Sequence, residues 1–241
     1  MTDEPRAWQV VLEAIERDLL DGRLRPGDHL PGERALSADL GVGRSSVREA
    51  LRVLEVLGLI RTSTGSGPNS GAIIVALPGG GMSALMRLQV AATGFAVEDV
   101  VKTRLVLESA VAADLAGASP RPSLAASVSL LDAMESELSA AEFLALDAEF
   151  HLTLADASGN QVITATMAGL RSSIESYARL GAASVPSWPD TAARLMREHR
   201  GIINAIESGD SASAGAAVHS HIAGYYAETN FPTHRLDDMP A

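Results

Sequence analysis

The sequence puts an aspartate and a histidine four residues apart in a stretch with the composition of a helix. Asp147 and His151 both lie within LALDAEFHLTLADASGN. Residues i and i+4 of a helix share one face about one turn apart, so the carboxylate and the imidazole can point the same way. A metal ion can bridge such a pair, and the spacing therefore predicts part of a metal site.

Two further histidines lie on later predicted helices, His199 in REHRGIINAIESGD and His221 in AAVHSHIAGYY. Cysteine is absent from the chain, so any metal must bind histidine and carboxylate. Three histidines and one aspartate on three helices suit a divalent ion such as Zn, Ni or Mn, with open positions for water or a small anion. The alternative is an ordinary structural role for each histidine. His219 is two residues from His221, so on a helix the two side chains point roughly 200° apart, and His219 is not counted among the predicted metal ligands.

A second group of residues has chemistry suited to DNA. Arg44 and Arg48 lie four residues apart near the start of the predicted helix GRSSVREALRVLEVL, with Ser45 and Ser46 between them. At that end of a recognition helix, side chains face base edges in the major groove, where arginine pairs with guanine O6 and N7. Arg34, at the start of the preceding predicted helix, can reach a phosphate or a base from the flank. The alternative is that these arginines pair with neighbouring carboxylates on a solvated face.

The elements that would position these arginines predict a winged helix over residues 1–76. Apolar periodicity and turn signals indicate a helix, two short helices joined by a glycine-containing turn, and two β-prone segments around GSGPNSG, at 8–20, 33–40, 43–57, 60–64 and 72–76. Two short helices with such a turn form a helix-turn-helix, and the β-prone pair forms its hairpin wing.

The remainder of the chain predicts an all-α bundle. After a Pro/Gly linker at 77–82, apolar residues recur at helical spacing and no strand-like alternation appears. Seven helices are expected within a domain covering 83–230, at 83–94, 97–117, 121–138, 141–157, 160–181, 188–208 and 211–229. Residues 231–241 have no apolar period and predict a loose tail.

Composition and charge agree with a two-domain globular protein of 241 residues. No segment has the length and apolarity of a membrane span or the pattern of a signal peptide, so we expect a cytoplasmic protein without a membrane partner. The net charge of −11 argues against DNA binding by the whole chain. Residues 1–76, however, hold nine arginines against eleven acidic residues, whereas residues 77–241 hold ten basic and nineteen acidic ones, so most of the acidity is C-terminal.

The stretch LRPGDHLPGERALSADLGVGRSSVREALRVLEVLGLIRTSTGSG resembles the N-terminal domain of the GntR family of bacterial transcription regulators. The resemblance implies contacts with double-stranded operator DNA from three arginines, a hydroxyl residue and a wing-tip glycine: Arg34, Arg44, Arg48, Ser46 and either Gly65 or Gly67. The wing of this chain is longer than the short glycine-rich turn usual in the family.

Residues 83–229 resemble the ligand-binding (FCD-type) domain of the FadR-like branch of that family, on the D-x-x-F-H motif, the ASGN after it, the Glu-His pair and the final histidine. The resemblance implies a divalent metal held by Asp147, His151, His199 and His221, with a small organic acid effector at its free positions. Arg104 matches an arginine that faces the pocket and could hold a second effector carboxylate in a forked pair. The alternative for Arg104 is an i,i+4 ion pair with Glu108. Ser173, Tyr177 and Asn204 are further candidates for the pocket lining, and Trp188 and Tyr225 for the core or an interface.

Together these patterns predict a homodimeric DNA-binding regulator, a repressor rather than an activator and not an enzyme. Effector binding at the metal is expected to change operator affinity. Two alternatives stay open: a regulator that senses the metal directly, and a metal-dependent hydrolase, although the sequence contains no hydrolase motif.

Overall fold

A computed structural model of the protein describes residues 6–63, 71–75, 80–93 and 95–229. Over these residues the chain forms ten α-helices and one two-stranded antiparallel sheet. The predicted fold class is therefore confirmed: a winged helix-turn-helix with a small hairpin, followed by an all-α part. The chain divides into two compact units between Ala84 and Leu85. None of the helices in the described ranges is long and apolar enough to cross a membrane.

The first unit begins with three helices, α1 (Ala7–Leu20), α2 (Glu33–Leu40) and α3 (Arg44–Val56). Helix α2 ends where Gly41 takes a φ of 65°, a left-handed conformation that favours glycine. Only three residues separate α2 from α3, which gives the tight turn of a helix-turn-helix. Helix α3 packs against α1, and its apolar face is buried in the core of this unit, with Val47, Ala50, Leu51 and Leu54 on that face. Burial of this face leaves the opposite, arginine-bearing face of α3 toward solvent.

Strands β1 (Ile60–Ser63) and β2 (Gly71–Ile74) form the base of the wing. They pair antiparallel, with Ile60 opposite Ile74 and Ser63 opposite Gly71. Both isoleucines are buried in the core of this unit, which anchors the hairpin to the helices.

The segment between α1 and α2 also pairs with β2, which the sequence did not predict. The N–H of Leu30 donates to the carbonyl of Ala72 at 2.8 Å, and the N–H of Ile74 donates to the carbonyl of Asp28 at 2.9 Å. Glycine and proline in this segment indicate a loop, and a single β-bridge leaves no periodic pattern by which the sequence could reveal it. Strand β2 thus pairs with β1 along one edge and with the segment between α1 and α2 along the other.

The second unit is built around α5. The helices of the all-α part are α4 (Gly80–Thr93), α5 (Val97–Gly117), α6 (Ala125–Met134), α7 (Ala140–Ala157), α8 (Gln161–Ala182), α9 (Trp188–Ser208) and α10 (Ser211–Glu228). Helix α5 packs against α7, α8, α9 and α10, so its buried face meets four neighbours. Side chains on that face are therefore positioned to touch a site shared by several helices.

Two helices, α6 and α4, differ from their predicted bounds by three or four residues at an end. Helix α6 begins at Ala125, not 121, because Pro122 disfavours helical geometry in the residue before it, and it ends at Met134. Helix α4 begins at Gly80, so the last residues of the predicted linker 77–82 are helical. The other linker residues, and the predicted tail 231–241, lie outside the described residues.

Candidate metal centre and DNA-binding face

Helix α7 carries Asp147 and His151 on one buried face, as their spacing predicts. Ser139 caps the start of the helix: its hydroxyl oxygen accepts from the N–H of Glu142 at 3.3 Å, while the Glu142 carboxylate accepts from the N–H of Ser139 at 2.9 Å. This reciprocal capping fixes where α7 starts. The register of α7, and with it the direction of both candidate ligands, is set locally.

Helices α9 and α10 bring His199 and His221 to the same point. The Nε2 atom of His221 lies 3.2 Å from Nε2 of His151 and 3.1 Å from Nε2 of His199. Nε2 of His199 in turn lies 3.0 Å from Oδ1 of Asp147. One potential ligand atom from each of the four side chains falls within 4.8 Å of all the others, and all four residues are buried. The structure therefore gathers the four residues that the sequence predicts as a metal site.

The protonation pattern of this cluster fits a cation. Nδ1 of His151 and Nδ1 of His221 each lie beside a carboxylate oxygen, so in the neutral rings these nitrogens carry the proton. Their Nε2 atoms then present lone pairs to each other across 3.2 Å. Unprotonated nitrogens at that distance in a buried space repel each other, and a metal ion between them removes the repulsion. Metal–nitrogen bonds of about 2.1 Å are compatible with such nitrogen separations.

Two glutamates support the histidines, and the sequence did not identify either as part of the metal site. Oε2 of Glu108 on α5 lies 2.5 Å from Nδ1 of His151, an ion-pair distance without hydrogen-bond alignment. Nδ1 of His221 donates to Oε2 of Glu198 on α9 at 2.8 Å. Such carboxylates fix the tautomer and orientation of a metal-binding histidine. The only sequence signal was the position of Glu198 directly before His199.

Burial and neighbouring charges set the ionisation of the cluster. Burial and the nearby His199 lower the pKa of His221 to about 4, although Glu198 opposes the shift. Burial likewise lowers the pKa of His199, against the opposing effect of Asp147. Burial raises the pKa of Asp147, but its bond to His199 and the other histidines outweigh this, so the pKa lies below its usual range. At neutral pH His199 and His221 are thus neutral imidazoles and Asp147 is a carboxylate, the forms that bind metal.

Arg104 on α5 forms the ion pair with Glu108 that the sequence left as an alternative. Its Nε donates to Oε1 of Glu108 at 2.6 Å and its Nη1 donates to the hydroxyl of Tyr177 at 2.7 Å. Its Nη2 is buried and has no hydrogen-bond partner among the described residues. Burial raises the pKa of Glu108, but the Arg104 charge and His151 outweigh burial and lower this pKa to about 2. Arg104 and Glu108 are therefore a buried, ionised pair beside the histidines.

A small cavity joins Arg104 to the cluster. Its free space is about 10 Å³, room for roughly one water molecule. Arg104, Asp147, His221 and Tyr177 line it, together with aliphatic and tyrosine side chains. The cavity is thus lined by both ionisable and apolar side chains.

The other predicted pocket residues have different positions. Tyr177 lines the cavity. Ser173 is buried but is not among the lining residues, and Asn204 is exposed on α9 and does not line the cavity either. His219 is exposed on α10, outside the cluster. Tyr225 is buried in the core, where its hydroxyl donates to the carbonyl of Ala178, and it also lines the cavity. Trp188 packs edge-on against Phe143, with ring centroids 5.5 Å apart.

The predicted DNA-contacting side chains lie on the first unit. Arg34 on α2 and Arg44, Ser45 and Arg48 on α3 are exposed, and Ser46 is partly exposed. Nε of Arg48 lies 3.3 Å from the carboxylate of Glu33, and such an exposed ion pair contributes little to stability. Gly65 and Gly67, the predicted wing-tip glycines, lie outside the described residues.

Comparison with known proteins agrees with both parts of this architecture. The model of the bacterial regulatory proteins of the gntR family matches residues 8–68, and the FCD domain model matches residues 99–224. The chain belongs to the GntR family and carries an FCD domain. It is accordingly a DNA-binding transcription regulator and not an enzyme, and the alternative of a metal-dependent hydrolase is excluded.

Regulators from several bacteria are similar over most of the chain. HTH-type transcriptional regulator LutR of Bacillus subtilis is 30% identical over 204 residues, covering 84% of this chain and 91% of LutR. The Glc operon transcriptional activator of Escherichia coli is 29% identical, covering 86% of this chain and 82% of the activator. HTH-type transcriptional repressor NanR of Cronobacter sakazakii is 29% identical, covering 91% and 84%. These relatives include both an activator and a repressor.

A solved structure has the same architecture as this GntR-family chain. The GntR protein of Streptococcus agalactiae superposes with a TM-score of 0.61 at 26% sequence identity, covering 92% of this chain and 100% of that one. The likeness extends over both units.

Proposed function

We propose that this GntR-family chain is a homodimeric repressor whose FCD domain binds a divalent metal and a small carboxylate effector. The observation that carries the proposal is the convergence of one potential ligand atom from each of Asp147, His151, His199 and His221 within 4.8 Å in a buried space. The proposed domains are residues 1–76 for DNA and 83–230 for metal, effector and dimerisation.

Asp147, His151, His199 and His221 would hold the metal, with Zn, Ni and Mn as the candidate ions. When bound, the ion supplies positive charge and free coordination positions for a carboxylate or hydroxyl oxygen of the effector. The hydrogen bond to Glu198 orients the imidazole of His221, and the Glu108 carboxylate lies beside Nδ1 of His151; both carboxylates favour imidazoles whose Nε2 faces the metal.

Arg104 is the proposed effector anchor. It is buried, it lines the cavity beside Asp147 and His221, and its Nη2 is without a partner among the described residues. A buried donor with no acceptor is costly, and an effector carboxylate in the cavity would remove that cost. The cavity must widen to admit such a molecule, since its free space is about 10 Å³.

Arg44 and Arg48 are the proposed base-reading side chains, with Arg34, Ser45 and Ser46 beside them. Two copies are needed because one winged-helix half-site carries too little sequence information for a specific operator. The effector would favour a conformation that no longer fits both half-sites. By linkage, operator DNA then weakens effector binding by the same factor.

The small cavity also supports a second candidate, a regulator that responds to the metal alone. A sensor needs no space for an organic acid, whereas an effector receptor does. The two candidates differ in what releases DNA: a change in metal occupancy for the sensor, or an organic acid at constant metal occupancy for the receptor.

The test starts from an operator selected out of random duplexes with the full-length protein. Its affinity is then measured for stripped protein, metal-loaded protein and metal-loaded protein with a panel of small carboxylates. The proposal expects a carboxylate to weaken DNA binding only when metal is loaded. Loss or gain of DNA binding on metal addition alone would favour the sensor. DNA affinity that changes neither with metal nor with any carboxylate would overturn the proposal.

A further inference from the structure

We infer that the charges buried around the cavity select an effector with a single negative charge, and that Glu108 is the residue that sets this selectivity. The inference rests on the proposed function of the FCD domain. It adds the charge of the ligand, which neither the family nor the geometry of the metal cluster by itself specifies.

The buried charges around the site can be counted. Arg104, Glu108 and Asp147 are 5%, 5% and 7% exposed, and they carry one positive and two negative charges. The three histidines are neutral as metal ligands. A divalent ion therefore leaves one uncompensated positive charge among these buried side chains. A buried charge without a counter-charge is strongly unfavourable, so a singly charged anion completes the balance and a doubly charged one exceeds it.

Outside the cavity, Glu198, Arg194 and Glu228 are ionised and partly exposed, and together they carry one net negative charge. Glu198 forms an ion pair with Arg194 at 2.6 Å, and Arg194 also pairs with Glu228. Their side chains are 28–29% exposed, so solvent screens them more than the groups at the cavity. Among the described residues that line the cavity, the ionised side chains are Arg104 and Asp147, while the rest are His221, tyrosine or aliphatic.

The hydrogen bonds of Arg104 argue independently against a second carboxylate. A forked pair with a carboxylate uses two guanidinium nitrogens. Nε already donates to Glu108 and Nη1 to Tyr177, so among the described residues Nη2 alone has no hydrogen-bond partner. A forked pair with an effector would have to share a nitrogen with one of them. The second effector carboxylate that the sequence predicted at Arg104 is therefore disfavoured by this arrangement.

The experiment compares two acids that differ in charge but little in size, lactate and tartronate. Both present a 2-hydroxycarboxylate, and tartronate has a second carboxylate where lactate has a methyl group. Affinities for the metal-loaded full-length protein are measured by calorimetry, after the metal content of each sample has been determined. We expect the protein to bind lactate roughly tenfold or more tightly than tartronate.

Charge variants then test whether the buried sum is the cause. Glu108→Gln raises the buried charge by one and should make tartronate the preferred acid. Arg104→Met lowers the buried charge by one and should increase the preference for lactate. The double variant R104M/E108Q restores the sum, so it should regain the wild-type ratio although both affinities fall. Because replacing both members of a buried pair is tolerated better than removing one, the double variant also guards against misfolding of either single variant.

Glu98→Gln is the matched control, because Glu98 forms an exposed i,i+4 ion pair with Lys102 on the same helix. Its ratio should equal that of the wild type. A wild-type preference for tartronate, or a double variant whose ratio departs from the wild type, would overturn the inference and leave the proposed function intact. Binding of neither acid, nor of any other small carboxylate, by fully metal-loaded protein would overturn the effector proposal and this inference together.

Discussion

Nδ1 of His221 donates a 2.8 Å hydrogen bond to Oε2 of Glu198, so a partly exposed carboxylate on α9 orients a buried imidazole on α10. The other oxygen of Glu198 accepts from Arg194 at 2.6 Å, which holds the carboxylate in place. The two helices are thereby linked at the metal cluster through side chains as well as through packing. This relationship makes Glu198 a positioning residue for the proposed metal.

Glu198→Gln should weaken metal binding by about 10–100-fold, because a neutral amide is a poorer acceptor for the imidazole N–H and no longer fixes the tautomer. Competition with a chromogenic chelator measures the affinity. Glu207→Gln, an exposed change on the same helix, is the control and should leave the affinity unchanged. Equal affinities for the two variants would contradict the positioning role.

Metal binding should stabilise the folded protein through His199. Loading at a hundredfold excess over Kd adds about 2.7 kcal/mol to the free energy of unfolding, seen as a higher Tm for the wild type. His199→Ala should remove this metal-dependent rise. His219→Ala, which alters an exposed histidine on α10, should keep it. A metal-dependent rise in Tm that both variants keep, or that both variants lose, would contradict a metal site at this cluster.

Arg44→Ala and Arg48→Ala should each cost ~1–3 kcal/mol in operator affinity and relax specificity at one base pair. The physical reason is the loss of a bidentate pair with guanine in the major groove. Arg17→Ala removes the same charge from an exposed position on α1 and controls for general electrostatic attraction. Binding to a set of single-substituted operators measures the specificity, and unchanged selectivity in both α3 variants would count against base contact.

Phe150→Ala should lower the free energy of unfolding by about 3–5 kcal/mol, because this large side chain is completely buried and its removal leaves a cavity. Its ring also lies against His199, with ring centroids 4.7 Å apart, so metal affinity should fall as well. Chemical denaturation of the metal-free protein measures the first effect and chelator competition the second. Val162→Ala, at a position 68% exposed, should change neither.

Local spacing in the sequence was enough for several features. The i,i+4 separation of Asp147 and His151 fixes their common face because a helix has 3.6 residues per turn whatever surrounds it. Most helix bounds in the all-α part followed from apolar periodicity for the same reason, and the helix-turn-helix followed from the glycines at 41 and 43. Boundaries failed where prolines interrupted the pattern, as before α6.

Relations between helices could not be predicted in this way. The distances among the three Nε2 atoms, the support of His221 by Glu198 and the division of Arg104 between Glu108 and Tyr177 all join residues on different helices. Such contacts depend on how the helices pack, and no spacing along the chain encodes their crossing or rotation. The sequence by itself determined the ligand types and the faces that carry them. Only the tertiary structure decided which atoms meet and which donor of Arg104 has no acceptor among the described residues, because the partners of a buried group come from whichever helices pack around it.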